Sequence, residues 1–435
     1  MKNYYQNIIN NFSYKLNKLQ QEKDKYVIDT EKDFTRKRKL DFKTLIKIII
    51  YSSSKPIKEE LYDYFDYSQR TATSSAFVQA RSKLKSEAFY DLLKMINKTD
   101  ESLDKFKGYR LIAVDGSDLA IARNTLDIET HKSNGSNTSC NLLHINSMYD
   151  ILNKQYEDVI FTGTKHFGEQ ECMWKMVERF KDKAIFIADR NYPSFNNMEH
   201  IIKANQKFLI RCKDKNSLSS ILRKCNLPNS EFDEDISFTL TTRMTNEIKN
   251  NPDKYRFLSS TSTFDFISKE VPYYDVAYRA VRFKIDGKEE YESIITNLDR
   301  DMFPPDIIKK LYNLRWGIET SFRHLKYATD LSCVHSKKKE CIKQEILARM
   351  ILYNLCLSMI KEAVKHKIKK NTKLEYTANI TRCIHIIRNL AKRKGGIPPN
   401  IEKLLLSELL PIRPGRTGDR NVKPTHFIPF NYRFS

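Results

Sequence analysis

Three acidic residues, far apart in the chain, stand where they could bind metal ions together. Asp115 directly follows the apolar run LIAV, and Asp189 directly follows the apolar run AIFIA. Acids at the carboxyl ends of two neighbouring strands can converge on one crevice, because adjacent strands lie only about 4.8 Å apart. The third candidate, Glu319, lies in a helical pattern towards the other end of the chain. This set predicts a crevice that binds cations.

Carboxylates in such a set suit hard divalent cations. Mg²⁺ takes oxygen ligands and keeps several waters, so one or two carboxylates per ion are enough when substrate phosphates complete the shell. Two such ions about 3.5 to 4 Å apart cleave phosphodiester bonds: one activates water or a 3′-hydroxyl and the other stabilises the leaving oxygen. We therefore predict that Asp115, Asp189 and Glu319 are catalytic and hold two Mg²⁺ or Mn²⁺ ions.

Each acid taken alone also has an ordinary structural interpretation. Asp115 precedes Gly116, and an Asp-Gly pair after a strand commonly forms a turn. Glu319 follows Arg315 by four residues, which is the spacing of an ion pair on any charged helix. Only the combination of the three acids favours the metal-binding interpretation.

The helical pattern around Glu319 carries three further polar residues at regular spacing. The segment YNLRWGIETSFRHLK places Tyr312, Arg315, Glu319 and Lys326 in the order Y-x2-R-x3-E-x6-K. At about 100° per residue these four lie within about 60° of one another, so a continuous helix presents them on one face. Arg and Lys suit phosphate oxygens, and Tyr adds a hydroxyl without charge. The pattern predicts a face that contacts phosphates, with an exposed amphipathic face as the alternative.

The charge of the whole chain favours a polyanionic partner. Its 435 residues include 76 Lys and Arg against 54 Asp and Glu, which leaves a net charge of +22. Basic side chains facing a duplex release counterions, and this gives affinity that does not depend on sequence. No apolar run is long enough to span a bilayer. Double-stranded DNA is therefore favoured over a membrane.

Two further observations point to the cytoplasm. The N-terminal segment MKNYYQNIINNFSYK lacks the apolar centre of a secretory signal. The eight Cys include no C-x-x-C pair, which fits reduced thiols rather than a disulfide framework. A cytoplasmic location is the expectation.

Apolar periodicity divides the chain into parts. Residues 1–105 are predicted to be helical, and the basic segment 36–39 and a second basic helix with Arg81 and Lys83 make this part a candidate DNA-binding domain. Residues 106–212 alternate strand and helix patterns, which predicts the first part of a mixed α/β core. Residues 213–302 are rich in strand patterns, with a hairpin around Asp286-Gly287.

The last parts of the chain are predicted to be helical. Residues 303–367 are expected to complete the core with one long helix that starts near Pro305 and carries Glu319, followed by a second helix. Residues 368–435 are expected to form a basic helical C-terminal region that ends in a segment containing Pro and Gly.

The three acids and the Y-x2-R-x3-E-x6-K spacing together resemble the signature of the DDE transposases of bacterial insertion sequences, in the family whose hallmark is called YREK. The resemblance covers roughly residues 108–360, and more loosely residues 30–100, where YSQRTATSSAFVQARSKL looks like the family's N-terminal DNA-binding segment. It implies an RNase H-like sheet with flanking helices, interrupted by a β-rich insertion before the last acidic helix.

The resemblance also implies roles for the site residues. Asp115, Asp189 and Glu319 match the acids that bind the metal ions. Tyr312, Arg315 and Lys326 match the positions that contact phosphates near the cleaved transposon end, so the resemblance implies that these three bind DNA.

The function implied by the resemblance is cut-and-paste transposition in the cytoplasm of a bacterium, in association with the nucleoid. An endonuclease step at the terminal inverted repeats frees 3′-hydroxyls, which then attack target DNA, and a homodimer holds the two ends in a synaptic complex. Two other functions stay open: an RNase H-like nuclease without strand transfer, and a non-catalytic DNA-binding protein derived from a transposase. Retention of all three acids argues against the second.

Two features depart from the family pattern. Asp189 is followed by Arg-Asn-Tyr, whereas Arg-Gly-Tyr is common in the family, so the backbone there is less free to adopt positive φ. Some members hold a flipped base against a Trp in the insertion, but Trp174 and Trp316 both lie outside residues 213–302. The resemblance therefore leaves open whether a hairpin intermediate forms.

Overall fold

A helical N-terminal part begins the chain. The computed structural model describes residues 3–97, 103–133, 139–163, 168–259, 261–287, 289–334, 336–365, 376–392 and 401–411. The first helices are α1 (Asn3–Gln21), α2 (Phe42–Tyr51), α3 (Ile57–Phe65), α4 (Ser74–Arg81) and α5 (Glu87–Ile96), with a 3₁₀ turn at Lys23–Lys25. The side chains of Asp41 and Thr73 cap α2 and α4 by accepting from backbone N–H groups of the first turn.

A mixed sheet forms the centre of the molecule. In chain order its first elements are β1 (Arg110–Ile121), β2 (His131–Lys132), β3 (Cys140–Asp150), β4 (Gln155–Thr162), α6 (Glu169–Arg179), β5 (Ala184–Ala188), α7 (Phe195–Lys203) and β6 (Lys207–Cys212). β1, β3 and β4 form an antiparallel meander, while β5 pairs parallel with both β1 and β6. The order β4-β3-β1-β5-β6, with α6 and α7 as the connections to the parallel strands, is RNase H-like and confirms the predicted fold class.

The next segment extends the same sheet beyond β6. Its elements are β7 (Phe232–Thr241), α8 (Asn246–Asn250), β8 (Tyr255–Phe257), β9 (Tyr273–Lys284) and β10 (Tyr291–Thr296). β10 pairs antiparallel with β6 and β9, β9 pairs with β7, and β7 pairs with β8. Gly287 in the turn between β9 and β10 has φ 73°, a conformation that glycine adopts without strain.

Helices complete the chain. They are α9 (Pro305–Asn313), α10 (Trp316–Tyr327), α11 (Lys339–Lys365), α12 (Ile380–Lys392) and α13 (Ile401–Leu406), with two short paired strands, β11 (Tyr376–Ala378) and β12 (Leu409–Pro411). Much of the predicted C-terminal region, including the basic residues after Lys392 and the final Pro- and Gly-containing segment, lies outside the described residues. Within the described part, no helix is long and apolar enough to cross a membrane.

The prediction of a single long helix from Pro305 through Leu325 is wrong. The chain instead forms α9 and α10, joined at Leu314 and Arg315. At this junction the N–H of Leu314 donates to Leu311 and that of Arg315 to Tyr312, so each bond spans three residues. Such a turn winds by about 120° per residue, more than the 100° of an α-helix. One helical wheel therefore does not describe the four residues of the Y-x2-R-x3-E-x6-K pattern.

The two faces of the central sheet belong to different apolar cores. One face packs with α10, α11 and the N-terminal helices α1, α2 and α5 in a continuous core. The other face packs with α6 and α7. The N-terminal helices thus share a core with α11 and fix its position over the sheet.

Arg81, predicted to belong to a basic DNA-docking helix, is buried instead. Its guanidinium, 4% exposed, donates to Gln344 at 3.0 Å and to Glu345 at 2.8 Å, both on α11. An Arg whose fork is satisfied by buried acceptors holds two elements together rather than a phosphate. The prediction is wrong for this residue because the register of α4 against α11 is set by tertiary packing.

Candidate active site

Asp115 and Asp189 reach the same level of the sheet. The parallel register of β1 and β5 pairs Ala113 with Ile187. Asp115 lies two residues after Ala113, still within β1. Asp189 lies two residues after Ile187, just after β5 ends. Because neighbouring strands are about 4.8 Å apart, this register brings the two predicted acids next to each other.

The two acids also face the same side of the sheet. Ala113 and Ile187 belong to the core on the side of α10 and α11, whereas Val114 packs with the core on the opposite side. Side chains alternate between faces along a strand. Asp115 and Asp189, two positions after Ala113 and Ile187, therefore point towards α10.

Helix α10 carries Glu319 over this face. Ile318 and Phe322, both buried, anchor the helix in the core. The guanidinium of Arg315 links Glu319 to the sheet, since its Nη2 lies 2.7 Å from Oε1 of Glu319 and its Nη1 lies 3.8 Å from Oδ2 of Asp115. One buried cation thus contacts two of the three acids.

Electrostatics connect all three acids. Burial raises the pKa of Asp115 to about 6, while the N–H of Gly116, which donates to its carboxylate at 2.9 Å, and the charge of Arg315 act in the opposite direction. The negative charges of Asp189 and Glu319 add to the rise in this pKa. The three carboxylates are therefore close enough to repel one another.

The donor set fits divalent ions, although the carboxylates are not arranged around one point. Within the described ranges, no three His, Cys, Asp or Glu side chains lie close enough to hold a single ion. Three mutually repelling carboxylates with hard oxygen donors are nevertheless the ligands that Mg²⁺ and Mn²⁺ prefer. Arg315 provides positive charge at the place where such ions would provide it.

The other three residues of the helical pattern differ in their burial and in their contacts near the acids. Tyr312 is 3% exposed, and its side chain interacts with that of Arg315. Arg315 is 6% exposed and faces the acids, as described above. Lys326, half-buried, donates to the backbone carbonyl of Asp118 at 2.9 Å. The burial of Tyr312 and Arg315 does not fit the alternative of an exposed amphipathic face, and contact with DNA stays a prediction for all three residues.

A histidine with two acidic partners adjoins the site and was not found from the sequence. His144 lies opposite Asp118 in the pairing of β1 with β3. Its Nδ1 is 2.7 Å from Asp118 and its Nε2 is 3.2 Å from Glu169, the first residue of α6. Burial opposes protonation, but hydrogen bonds to the two carboxylates raise the pKa of His144 to about 9. No spacing in the sequence signals this group, because it is assembled from three separate elements.

Comparison with known proteins gives a family match and one solved structure to report. A family model described as "Transposase DDE domain" matches residues 106–355. No curated protein matches the chain. Among solved structures, the piggyBac transposase synaptic complex with hairpin DNA aligns at 9% sequence identity with a TM-score of 0.44, over 96% of this chain and 85% of that chain. The family match spans Asp115, Asp189 and Glu319 and all the strands of the β4-β3-β1-β5-β6 order.

Proposed function

Because this chain belongs to the transposase DDE domain family, we propose that it is the transposase of a bacterial insertion sequence. It cuts DNA at the element's terminal inverted repeats and joins the freed 3′ ends to target DNA. The observation that carries this proposal is the register that sets Asp115 beside Asp189, with Glu319 linked to Asp115 through Arg315.

The proposed catalytic residues are Asp115, Asp189 and Glu319, and together they hold two Mg²⁺ or Mn²⁺ ions. Two such ions, when bound, activate the attacking water or 3′-hydroxyl and stabilise the leaving oxygen. The acids themselves position the ions and form no covalent bond to DNA. Their placement on β1, just after β5 and on α10 gives each acid a rigid support.

Arg315 and Lys326 supply positive charge for the phosphates beside the cut. Arg315 is held near Glu319 and Asp115, so its fork needs little reordering to meet a phosphate at the same place. Lys326 lies over Asp118, three residues after Asp115. Tyr312 provides a hydroxyl, without charge, beside Arg315.

Residues 1–105 are the proposed DNA-binding domain. The basic segment 36–39 consists of four consecutive exposed cations that line a groove together with Thr73, which caps α4, and Gln79 of α4. Lys32 and Lys83, at the same groove, are paired with Asp29 and Asp33, but segment 36–39 forms no salt bridge within the described residues. Its charge is therefore available to a phosphate backbone.

The remaining parts of the chain complete the proposed assignment. Residues 106–212 and 303–367 form the catalytic core, residues 213–302 are the β-rich insertion, and residues 368–435 are a basic C-terminal region. Synapsis of two transposon ends requires two active sites, so the working form is proposed to be a homodimer on DNA.

Labelled end DNA, Mg²⁺ and a target plasmid test the proposal. The wild-type chain is expected to join labelled ends to the plasmid. Asp115→Asn should bind the same DNA but cleave it at least about 100-fold more slowly, since several kcal/mol of charge stabilisation are lost. Asp306→Asn, an exposed acid on α9 paired with Lys310, is the matched control and should be fully active.

The same assay separates the alternative functions. Shortened fragments without plasmid products would identify an RNase H-like nuclease that stops after hydrolysis. Equal behaviour of the wild type and Asp115→Asn in every DNA-dependent assay would identify a non-catalytic DNA-binding protein.

A further inference from the structure

A fourth carboxylate, that of Glu169, lies against the backbone beside Asp115. A β-carbon added to Gly116 would lie only 2.7 Å from Oε1 of Glu169 and 2.4 Å from Nε2 of His144. The N–H of the same glycine donates to the carboxylate of Asp115 at 2.9 Å. Gly116 therefore leaves room for Glu169 to approach from the α6 face, opposite to the face of Asp115, at an edge of β1 that β5 pairs only as far as Ala113.

The start of α6 is also tied to the turn that holds Asp189. The side chain of Gln170, next to Glu169, donates to the carbonyl of Asn191 at 2.8 Å. The N–H of Asn191 in turn donates to the carboxylate of Asp189 at 2.8 Å. Glu169 is thus positioned relative to both aspartates by short chains of contacts through their neighbours.

A buried hydroxyl lies among the same acids. Tyr192 is 0% exposed, and its hydroxyl has no hydrogen-bond partner among the described residues. Burial raises the pKa of Tyr192 well above its usual value, and the negative charges of Glu169, Asp115 and Asp189 add to the rise. Buried hydroxyls are normally paired, so this unpaired hydroxyl, within electrostatic reach of all three carboxylates, indicates a ligand near them.

We propose that Glu169 is a fourth carboxylate of the divalent-ion centre, and binds an ion together with Asp115. The inference rests on the function proposed above. In this structure, Glu169 pairs with His144 while Glu319 pairs with Arg315, so both acids that flank the aspartates have a cationic partner. Asp118 holds the other nitrogen of His144 and orients the ring, which makes His144 a positioning residue for Glu169.

Mn²⁺ binding to the full-length chain, followed by electron paramagnetic resonance without DNA, tests this proposal. The wild type is expected to bind two Mn²⁺ ions. Glu169→Gln should lower the affinity for one of the two ions by at least about tenfold, the smallest effect typical of a disturbed metal site. Glu171→Gln is the matched control, because Glu171 lies two residues along the same helix and pairs with Lys175 at 2.5 Å. It should bind both ions like the wild type.

A second measurement on the wild type covers the case in which Glu169→Gln does not fold. Fe²⁺ bound in place of Mn²⁺, with peroxide, cuts the backbone next to the ion. Cuts are expected near residue 115, near residue 189 and at residues 168–170. Absence of the cut at residues 168–170, with cuts at the other two places, would overturn the role of Glu169.

The outcomes distinguish this inference from the proposed function. Wild-type Mn²⁺ binding by Glu169→Gln, with loss of binding in Asp115→Asn, would reject Glu169 as a ligand and leave the transposase proposal intact. Wild-type Mn²⁺ binding and DNA cleavage by Asp115→Asn would reject the metal centre as a whole.

Discussion

The guanidinium of Arg315 donates to Glu319 across 2.7 Å, and the pair is held at the junction between α9 and α10. The same guanidinium lies 3.8 Å from Asp115. One cation therefore offsets two acids that would otherwise repel each other. A divalent ion at the site has to compete with this guanidinium.

Arg315→Gln is expected to make the protein more responsive to metal. Without metal, the unpaired acids should lower the melting temperature. Added Mn²⁺ should then raise it further than in the wild type, by about 2 °C or more, because the ion no longer competes with a guanidinium. Thermal unfolding in EDTA and in Mn²⁺ measures both effects. Arg323→Gln, an exposed Arg on the same helix, should respond to Mn²⁺ like the wild type, and an equal response of Arg315→Gln would refute the competition.

Substitution by alanine is expected to impair DNA cleavage at Gly116 but not at Gly317. Gly116→Ala should push His144 and Glu169 apart, since its β-carbon would come within 2.7 Å of both side chains. We expect DNA cleavage to fall by roughly 10- to 100-fold, because small displacements at an active site are costly, while DNA affinity is kept. Unchanged cleavage by Gly116→Ala would show that this packing does not matter.

Gly317→Ala is the matched substitution within α10. Its β-carbon meets only Ile151, at 3.6 Å, which is an ordinary contact. Alanine is favoured over glycine inside a helix by about 0.5 to 1 kcal/mol. Urea unfolding should therefore show equal or greater stability, and cleavage should be unchanged.

The positions of the two aspartates could be predicted because local sequence determines them. An apolar run followed by Asp marks the buried part of the strand, as before Asp115 and Asp189, although β1 continues past Asp115 to Ile121 whereas β5 ends just before Asp189. The junction at Leu314 and Arg315 could not be predicted in the same way, because neither residue disfavours a helix. The contacts of Arg315 with Asp115 and Glu319 depend on tertiary packing, and the helical wheel contains no information about it.

Long-range partners were the other part that sequence patterns missed. Arg81 and Glu345 form a buried ion pair although 264 positions separate them. His144 meets Asp118 and Glu169 only because the register of β1 with β3 and the start of α6 place them together. Periodicity predicts which face of an element is buried, but it does not identify the partner element.

Segment 36–39 is expected to control the salt dependence of DNA binding. Replacing all four cations by Gln should weaken binding and flatten the slope of log affinity against log salt by up to about 3.6, since each phosphate contact contributes about 0.9. Fluorescence anisotropy at several salt concentrations measures this slope. The melting temperature should not change, because the four side chains are exposed. Lys249→Gln, an exposed cation on α8, is the control, and the same slope for the wild type and the fourfold variant would exclude this segment from the interface.

Stability at low pH is expected to depend on the buried pair of Glu60 and Lys392. Burial alone would raise the pKa of Glu60, but Lys392, 2.7 Å away, and hydrogen bonds from Ser53 lower it to about 2 from an ordinary value of 4.5. Because the folded-state pKa is the lower one, this contribution is complete above about pH 4.5 and disappears as the pH falls towards 2. It amounts to at most about 3 kcal/mol.

Urea unfolding between pH 2 and pH 7 measures this contribution. The free energy of unfolding of the wild type should fall more steeply below pH 4.5 than that of Glu60→Gln, which keeps a similar shape but cannot titrate. Glu59→Gln, the exposed neighbour on α3, should follow the wild-type curve. If the free energies of unfolding of the wild type and Glu60→Gln changed in parallel with pH, Glu60 would have the same pKa in the folded and unfolded states.

Anomalous diffraction from crystals grown with Mn²⁺ and end DNA locates the ions directly. We expect two peaks about 3.5 to 4 Å apart, each about 2.0 to 2.3 Å from carboxylate oxygens of Asp115, Asp189 or Glu319. Mn²⁺ peaks bound elsewhere, with these three carboxylates free of metal beside the bound DNA, would contradict the proposed catalytic centre.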